Sequence, residues 1–124
     1  MNEAIRTESS PQPVGPYSQG VRSGDLVFVA GQGPLDPVTG TIPTGIEAQT
    51  RQVLRNVRGI LDAAGAAMSD VVKVSAHLAD LGDFEAFNRV YGEFFEPPYP
   101  VRTTVGSQLP GILVELDAIA VCRR

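Results

Sequence analysis

The chain is poor in the residues from which many metal and nucleophile sites are built. Its 124 residues include one cysteine and one histidine, so an intrachain disulfide, a cysteine-rich metal site and a pair of histidine ligands are excluded. Tryptophan is absent, and Lys73 is the only lysine. Ten basic residues against fourteen acidic ones give a net charge of −4. Because nucleic-acid-binding proteins usually carry a basic face, no nucleic-acid partner is expected.

Long hydrophobic runs are also missing. No segment approaches the ~20 apolar residues of a membrane-spanning helix, and the first residues do not follow the basic-then-apolar pattern of a secretory signal. We therefore expect a cytoplasmic protein without membrane contact. The length predicts one domain over residues 1–124. A charged fraction of only 19%, with a strand at residues 26–30 that is apolar on both faces, favours an oligomer.

Turn signals and hydrophobic periodicity predict the first half of an α+β fold. Residues 19–22 and 26–30 predict a hairpin, with Ser-Gly-Asp as its turn. An optional further strand is placed between this hairpin and the first helix. That helix is predicted to begin at Thr44, which has capping-box spacing to Glu47. It is predicted to end at Gly65.

The second half predicts one strand, a helix and two more strands. Asp83 is expected to begin the helix and Pro97 to end it. The last two strands, at residues 100–105 and 113–120, are expected to pair as an antiparallel hairpin. The whole predicts a two-layer domain in which two helices cover one face of a six-stranded mixed sheet. The strand over residues 71–78 is predicted to direct one apolar face inward, formed by Val72, Val74, Ala76 and Leu78.

Two charged residues on these last strands are candidates for function. Arg102 follows a proline-rich break, and Glu115 lies in the largely apolar strand after it. Burying either charge without a partner is costly. The planar donor fork of arginine suits a carboxylate or a phosphate. The sequence therefore predicts a pocket for a small anion, and the alternative for Arg102 is a salt bridge to an acid of a neighbouring subunit.

Seven ordered sequence blocks resemble those of a known family. Nearly the whole chain is similar to the RidA family, also known as the YjgF family, which contains reactive-intermediate imine deaminases. The blocks are short, and they follow one another at nearly the expected spacing. They occupy residues 15–19, 29–40, 49–57, 80–84, 88–91, 100–105 and 114–120.

The resemblance implies a homotrimer with a chorismate-mutase-like fold, its sheets facing inward and its active clefts between subunits. It implies that Arg102 binds the substrate carboxylate and that Glu115 orients a water near the reacting carbon. Many family members have cysteine at the position of Thr104, and the loop between Arg102 and Glu115 is a residue or two shorter here than in well-known members. The remaining residues implied to line the cleft are Tyr17, Gly31, Asn88 and Thr104.

Each of these cleft residues also has an ordinary structural interpretation. Tyr17 can be a packing aromatic, and Asn88 can form a hydrogen bond from its helix to a loop. Gly31 can simply end a strand tightly, and Glu115 can be the partner of an arginine. The sole histidine, His77, is expected to be exposed or at an interface rather than catalytic.

The implied reaction is hydrolysis of 2-imino acids, such as the 2-iminopropanoate derived from 2-aminoacrylate, to 2-oxo acids and ammonia. It requires no metal and no organic cofactor. One alternative keeps the fold but acts on another substrate, as a 2-aminomuconate-type deaminase. Two others are a non-catalytic protein that binds 2-oxo acids and a ribonuclease-type translation inhibitor, which the acidic charge disfavours.

Overall fold

The computed structural model describes residues 1–123. It contains a six-stranded mixed sheet and two α-helices, as predicted. Short 3₁₀ turns precede β4 and α2. In chain order the elements are β1 (Asn2–Ile5), β2 (Gly20–Ser23), β3 (Leu26–Gln32), α1 (Ile46–Ala63), β4 (Val71–Leu78), α2 (Phe84–Tyr91), β5 (Val101–Gly106) and β6 (Val114–Val121).

The strand order corrects one prediction. The sheet runs β1-β2-β3-β6-β4-β5, so β5 and β6 are not neighbours and do not form the expected hairpin. Instead β6 lies antiparallel between β3 and β4, while β5 pairs parallel with β4 at the edge. A loop of turn-forming residues permits a hairpin, but β6 is apolar enough to be buried between two strands, and that position buries more of it.

Two further strand predictions were wrong in detail. In the described residues the extra strand lies at Asn2–Ile5, where it extends the β2–β3 hairpin antiparallel, and not between that hairpin and α1. The register of β4 against β6 shifts between Val71 and Lys73. Because of this irregularity Val71 is buried and Val72 is 46% exposed, whereas Val74, Ala76 and Leu78 are buried as predicted.

Helix α1 begins at Ile46, with Gly45 rather than the predicted Thr44 at its N-cap. Gly45, with φ of 91°, precedes Ile46, and no side chain caps this end. The Thr44–Glu47 capping box therefore does not form, and the Glu47 carboxylate pairs with Arg89 instead. The predicted stop is confirmed, because Gly65 has φ of 78°, a conformation that glycine adopts readily.

Helix α2 is shorter than predicted. It begins after Asp83, although the carboxylate of that residue makes no capping hydrogen bond, and it ends at Tyr91, well before Pro97. Three buried aromatic residues are spaced four apart: Phe87 and Tyr91 on α2, and Phe95 just after it. Their rings contact in sequence, with centroids 5.6 Å and then 4.7 Å apart.

One face of the sheet is covered and the other is open. Helix α1 packs on β3 and β6, and the alternate residues of β6 that face it are buried. On the open face Glu115 and Asp117 are half-buried, while Phe28 is 39% exposed. Neither helix of the described chain is long and apolar enough to cross a membrane.

Candidate functional site

Arg102 lies on the covered face of the sheet. Its backbone is in register with Val74 of β4, a buried core residue, so its side chain is directed toward α2. There the guanidinium Nη2 donates a hydrogen bond of 2.7 Å to Oδ1 of Asn88. The side chain is half-buried, and no acidic residue of the described chain forms an ion pair with it. Arg102 and Asn88, both predicted site residues, are therefore brought together.

Three aromatic rings surround the same guanidinium. Its central carbon is 4.6 Å from the ring centroid of Tyr91, 5.1 Å from that of Phe87 and 5.7 Å from that of Phe84. These distances are those of cation–π contacts. The sequence alone did not reveal this arrangement, because a stripe of aromatic residues at helical spacing is typical of a hydrophobic core. The available signal was the coincidence of that stripe with a strand arginine that lacks an obvious acid.

A cavity of about 480 Å³ opens beside this guanidinium. At its wall, burial raises the pKa of the Tyr91 phenol, and the positive charge of Arg102 partly opposes that rise. The Tyr91 hydroxyl is buried without a hydrogen-bond partner, and so is the Thr104 hydroxyl two residues along β5 from Arg102. The cavity is lined by Asn88, Tyr91, Gly92, Tyr99, Pro100 and Arg102.

Glu115 and Gly31 form a second cluster on the open face. Glu115 is in register with His77 of β4, and both side chains point away from the helices. Gly31 lies at the irregular end of β3, where the register against β6 shifts. A Cβ atom at position 31 would lie 3.1 Å from Cδ and 3.2 Å from Oε2 of Glu115. The carboxylate therefore occupies the space beside a residue with no side chain.

The two clusters do not meet within one subunit. Arg102 is on β5, Glu115 is on β6, and β4 separates the two strands. Their side chains also leave opposite faces of the sheet, since Arg102 contacts α2 while Glu115 faces away from it. The residues predicted to bind one substrate are thus divided between two surfaces.

Tyr17 lies in a third place, the loop before β2. Its ring is 50% exposed, and its hydroxyl accepts a 3.3 Å hydrogen bond from the backbone of Val14. The end of this loop is fixed beside the Gly31 cluster, because the Gln19 carbonyl accepts from the amide of Ala30. Tyr17 therefore lies in the loop that leads to the β2–β3 hairpin, and it does not line the cavity beside Arg102.

The other titratable candidates are only loosely connected to these clusters. His77 is half-buried, and its Nδ1 lies 2.8 Å from Oγ of Ser107. Cys122 places its sulfur 3.3 Å from the carbonyl of Gly65. Within residues 1–123 no group of three or more histidine, cysteine, aspartate or glutamate side chains is arranged to hold a metal ion.

The fold and the two clusters define a class of protein: a two-layer α+β domain with polar candidate site residues on both faces of one sheet. A family model described as endoribonuclease L-PSP matches residues 7–122. A RutC family protein of Pyrococcus horikoshii is 50% identical over 123 residues, covering 97% of this chain and 98% of the relative. The chain belongs to the RidA (YjgF) family.

Two Escherichia coli proteins extend these similarities. A protein named 2-iminobutanoate/2-iminopropanoate deaminase is 41% identical over 128 residues, covering 99% of this chain and 100% of the relative. The crystal structure of TdcF with bound serine matches with a TM-score of 0.91 at 41% identity, covering 96% of this chain and 98% of that one. The fold expectation is thereby confirmed at the level of the subunit.

Proposed function

We propose that this protein is a cytoplasmic homotrimeric 2-iminoalkanoate deaminase that hydrolyses small 2-imino acids to 2-oxo acids and ammonia. The observation that carries the proposal is the Arg102 guanidinium, which is held beside an open cavity without an ion-pair partner in the described chain. A fixed, unpaired donor fork suits a small carboxylate. The 41% identity to a protein named 2-iminobutanoate/2-iminopropanoate deaminase supports the same substrate class.

The division of the site supports an oligomer, and the homotrimer is the form that the family resemblance implies. Since Arg102 and Glu115 leave opposite faces of one sheet, both can reach one substrate only if neighbouring subunits contribute one residue each. The open face also displays apolar side chains that a subunit contact would bury, including Phe28 and Leu26, each 39% exposed. In the proposed homotrimer the contact is head-to-tail and closes into a ring of three, so that each interface contains one Arg102 and one Glu115.

For imine hydrolysis the protein needs only to position the substrate and to supply charged groups beside it. A protonated imine next to a carboxylate is already electrophilic at C2. Arg102 holds the carboxylate, and Glu115 accepts a proton as water adds to C2. The resulting carbinolamine loses its nitrogen as ammonia, which leaves the 2-oxo acid. Positioning supplies much of the acceleration, and a well-placed general base contributes roughly 10²–10⁴-fold.

A coupled assay tests this function. A serine or threonine dehydratase generates the imine, and semicarbazide competes for it as a trapping reagent. We expect the protein to lower the rate of semicarbazone formation and Arg102→Ala to abolish that effect. The matched control is Arg58→Ala, because the Arg58 guanidinium also lies on a ring, 5.5 Å from the Phe94 centroid, outside the candidate site.

The same variants separate the alternatives. Unchanged imine hydrolysis by Arg102→Ala would refute the mechanism. Binding of 2-oxobutanoate by a wild-type protein that does not alter the semicarbazone rate would indicate a non-catalytic binding protein. Turnover of 2-aminomuconate but not of 2-iminopropanoate would indicate the related deaminase. Salt-sensitive RNA cleavage would indicate the ribonuclease, against the net charge of −4.

A further inference from the structure

Arg102 differs from Arg22, Arg51 and Arg89 in what holds it. Arg51 and Arg89 form salt bridges with glutamates on exposed surfaces, and the buried Arg22 donates to three backbone carbonyls. Among residues 1–123, Arg102 instead contacts uncharged groups: the amide oxygen of Asn88 and the aromatic side chains of Phe84, Phe87 and Tyr91. In a chain with fourteen acids and ten bases, the absence of a carboxylate from this contact set calls for a physical reason.

The rings fix the guanidinium without cancelling its charge. The π face of an aromatic ring attracts a cation through its quadrupole, yet it carries no net charge. Phe87 is fully buried and Tyr91 is 6% exposed, so neither ring is free to move away. A carboxylate in their place would hold Arg102 more strongly, but it would occupy the donor fork and compete with an incoming anion.

The Asn88 side chain also holds Arg102 without a negative charge. Its Oδ1 accepts a 2.7 Å hydrogen bond from Nη2 of Arg102, a geometry that an aspartate at position 88 would reproduce with nearly the same shape. The amide therefore orients one arm of the guanidinium while adding no negative charge. Arg102 itself lines the cavity, together with Tyr99 and Pro100.

We propose that Phe87 and Tyr91 are positioning residues of the carboxylate site: together with the Asn88 amide they form an uncharged cradle that orients Arg102 and leaves its charge available to a small organic anion. This inference rests on the proposed function and deepens it. The cradle selects ligands by charge, so it discriminates a 2-oxo acid from its neutral amide. The aromatic stripe of α2 thus serves the site as well as the core.

The first test uses an isosteric change of charge. Binding of 2-oxobutanoate and of the neutral 2-oxobutanamide is measured by calorimetry on the full-length protein. Asn88→Asp is expected to weaken 2-oxobutanoate binding at least about ten-fold, because the new carboxylate pairs with Arg102. The same variant should be as heat-stable as the wild type or more so, and its affinity for the amide should fall much less than its affinity for 2-oxobutanoate. An unaltered affinity for 2-oxobutanoate would overturn the proposal.

The second test removes the ring and then restores it. Tyr91→Leu is expected to weaken 2-oxobutanoate binding roughly 3- to 30-fold, the range that a desolvated cation–π contact supports. Tyr91→Phe keeps the ring and should restore the affinity. Phe94→Leu removes the equivalent ring from beneath Arg58 and should leave binding unchanged. Equal losses for 2-oxobutanoate and the amide in Tyr91→Leu would indicate a packing role and refute the cradle.

Arg102→Ala distinguishes a failure of the cradle from a failure of the proposed role of Arg102. If Arg102→Ala abolishes 2-oxobutanoate binding and turnover while Asn88→Asp and Tyr91→Leu bind normally, the cradle is refuted and the proposed function stands. If Arg102→Ala itself binds and turns over normally, the proposed role of Arg102 fails together with the cradle. If the wild type does not lower the rate of semicarbazone formation, the proposed function fails.

Discussion

Gly31 and Glu115 share a space that holds only one side chain. An added Cβ at position 31 would lie 3.1 Å from Cδ and 3.2 Å from Oε2 of the Glu115 carboxylate, closer than ordinary van der Waals contact. The absence of a side chain at Gly31 therefore determines where this carboxylate can be. If Glu115 directs a water to the substrate, then Gly31 sets the position of that water indirectly.

Gly31→Ala tests this relationship. Gly31 does not have a positive φ, so alanine imposes no backbone strain and the effect should come from the displaced carboxylate. We expect imine hydrolysis to fall about ten-fold, since sub-ångström displacement of a catalytic group is costly, while unfolding by urea changes little. Gly33→Ala is the control, because its Cβ would contact Ile112 at 3.3 Å rather than Glu115. Equal activity of the two variants would contradict a role for Gly31.

The divided site predicts complementation between inactive variants. Arg102→Ala lacks one half of each site and Glu115→Gln lacks the other, so each alone should be inactive. After mixing and subunit exchange, about a quarter of the interfaces of a cyclic trimer should pair an intact Arg102 with an intact Glu115. Activity should recover to about that fraction of the wild-type value. No recovery, or a chain that light scattering shows to be monomeric, would contradict a site between subunits.

Arg22 is expected to matter for stability. It is only 5% exposed, and its guanidinium donates to the carbonyls of Gly24, Cys122 and Ala64, joining β2 to the end of α1 and to the chain after β6. Arg22→Met leaves these carbonyls without their charged donor, so the free energy of unfolding should fall by about 2–4 kcal/mol.

Urea denaturation measures the effect of Arg22→Met. Arg55→Met is the matched control, because Arg55 is exposed on α1. This substitution should change the free energy of unfolding by less than about 0.5 kcal/mol. Equal stabilities of the two variants would show that the three carbonyl contacts contribute nothing.

The buried Tyr91 phenol should make the stability of the fold depend on pH in alkaline solution. Burial raises its pKa in the folded protein, and Arg102 opposes this in part. A raised folded-state pKa favours the protonated form, so the contribution to stability is complete below the unfolded pKa of tyrosine and is lost as the pH rises through the folded one. Relative to Tyr91→Phe, the wild type should therefore lose stability only at strongly alkaline pH.

Absorbance of tyrosinate gives the direct measurement. The wild type should show a late ionisation step that Tyr91→Phe lacks, while the earlier part of the titration is the same in both. Because the Tyr91 hydroxyl is buried without a partner, Tyr91→Phe should be at least as stable as the wild type at neutral pH. A variant that titrates like the wild type throughout would refute the assignment.

Local sequence signals predicted the helices and strands better than they predicted which strands pair and which residues cap a helix. Gly65 ended α1 as expected, because a positive φ at a helix end is a local property of glycine. The β5–β6 hairpin was wrong, since strand pairing depends on which sheet edges the rest of the chain leaves free. The Thr44 cap was wrong for a similar reason. Gly45 takes the N-cap position before Ile46, and Glu47 pairs with Arg89 of α2, which is distant in sequence.

The sequence by itself determined the element types, the family and the identity of the two charged residues. These depend on composition, periodicity and short motifs, which the chain carries locally. Only the tertiary structure decided that Arg102 and Glu115 leave opposite faces of the sheet and that Arg102 rests on aromatic rings. The physical reason is that insertion of β6 between β3 and β4 fixes which face each residue takes, and strand order is a property of the whole sheet.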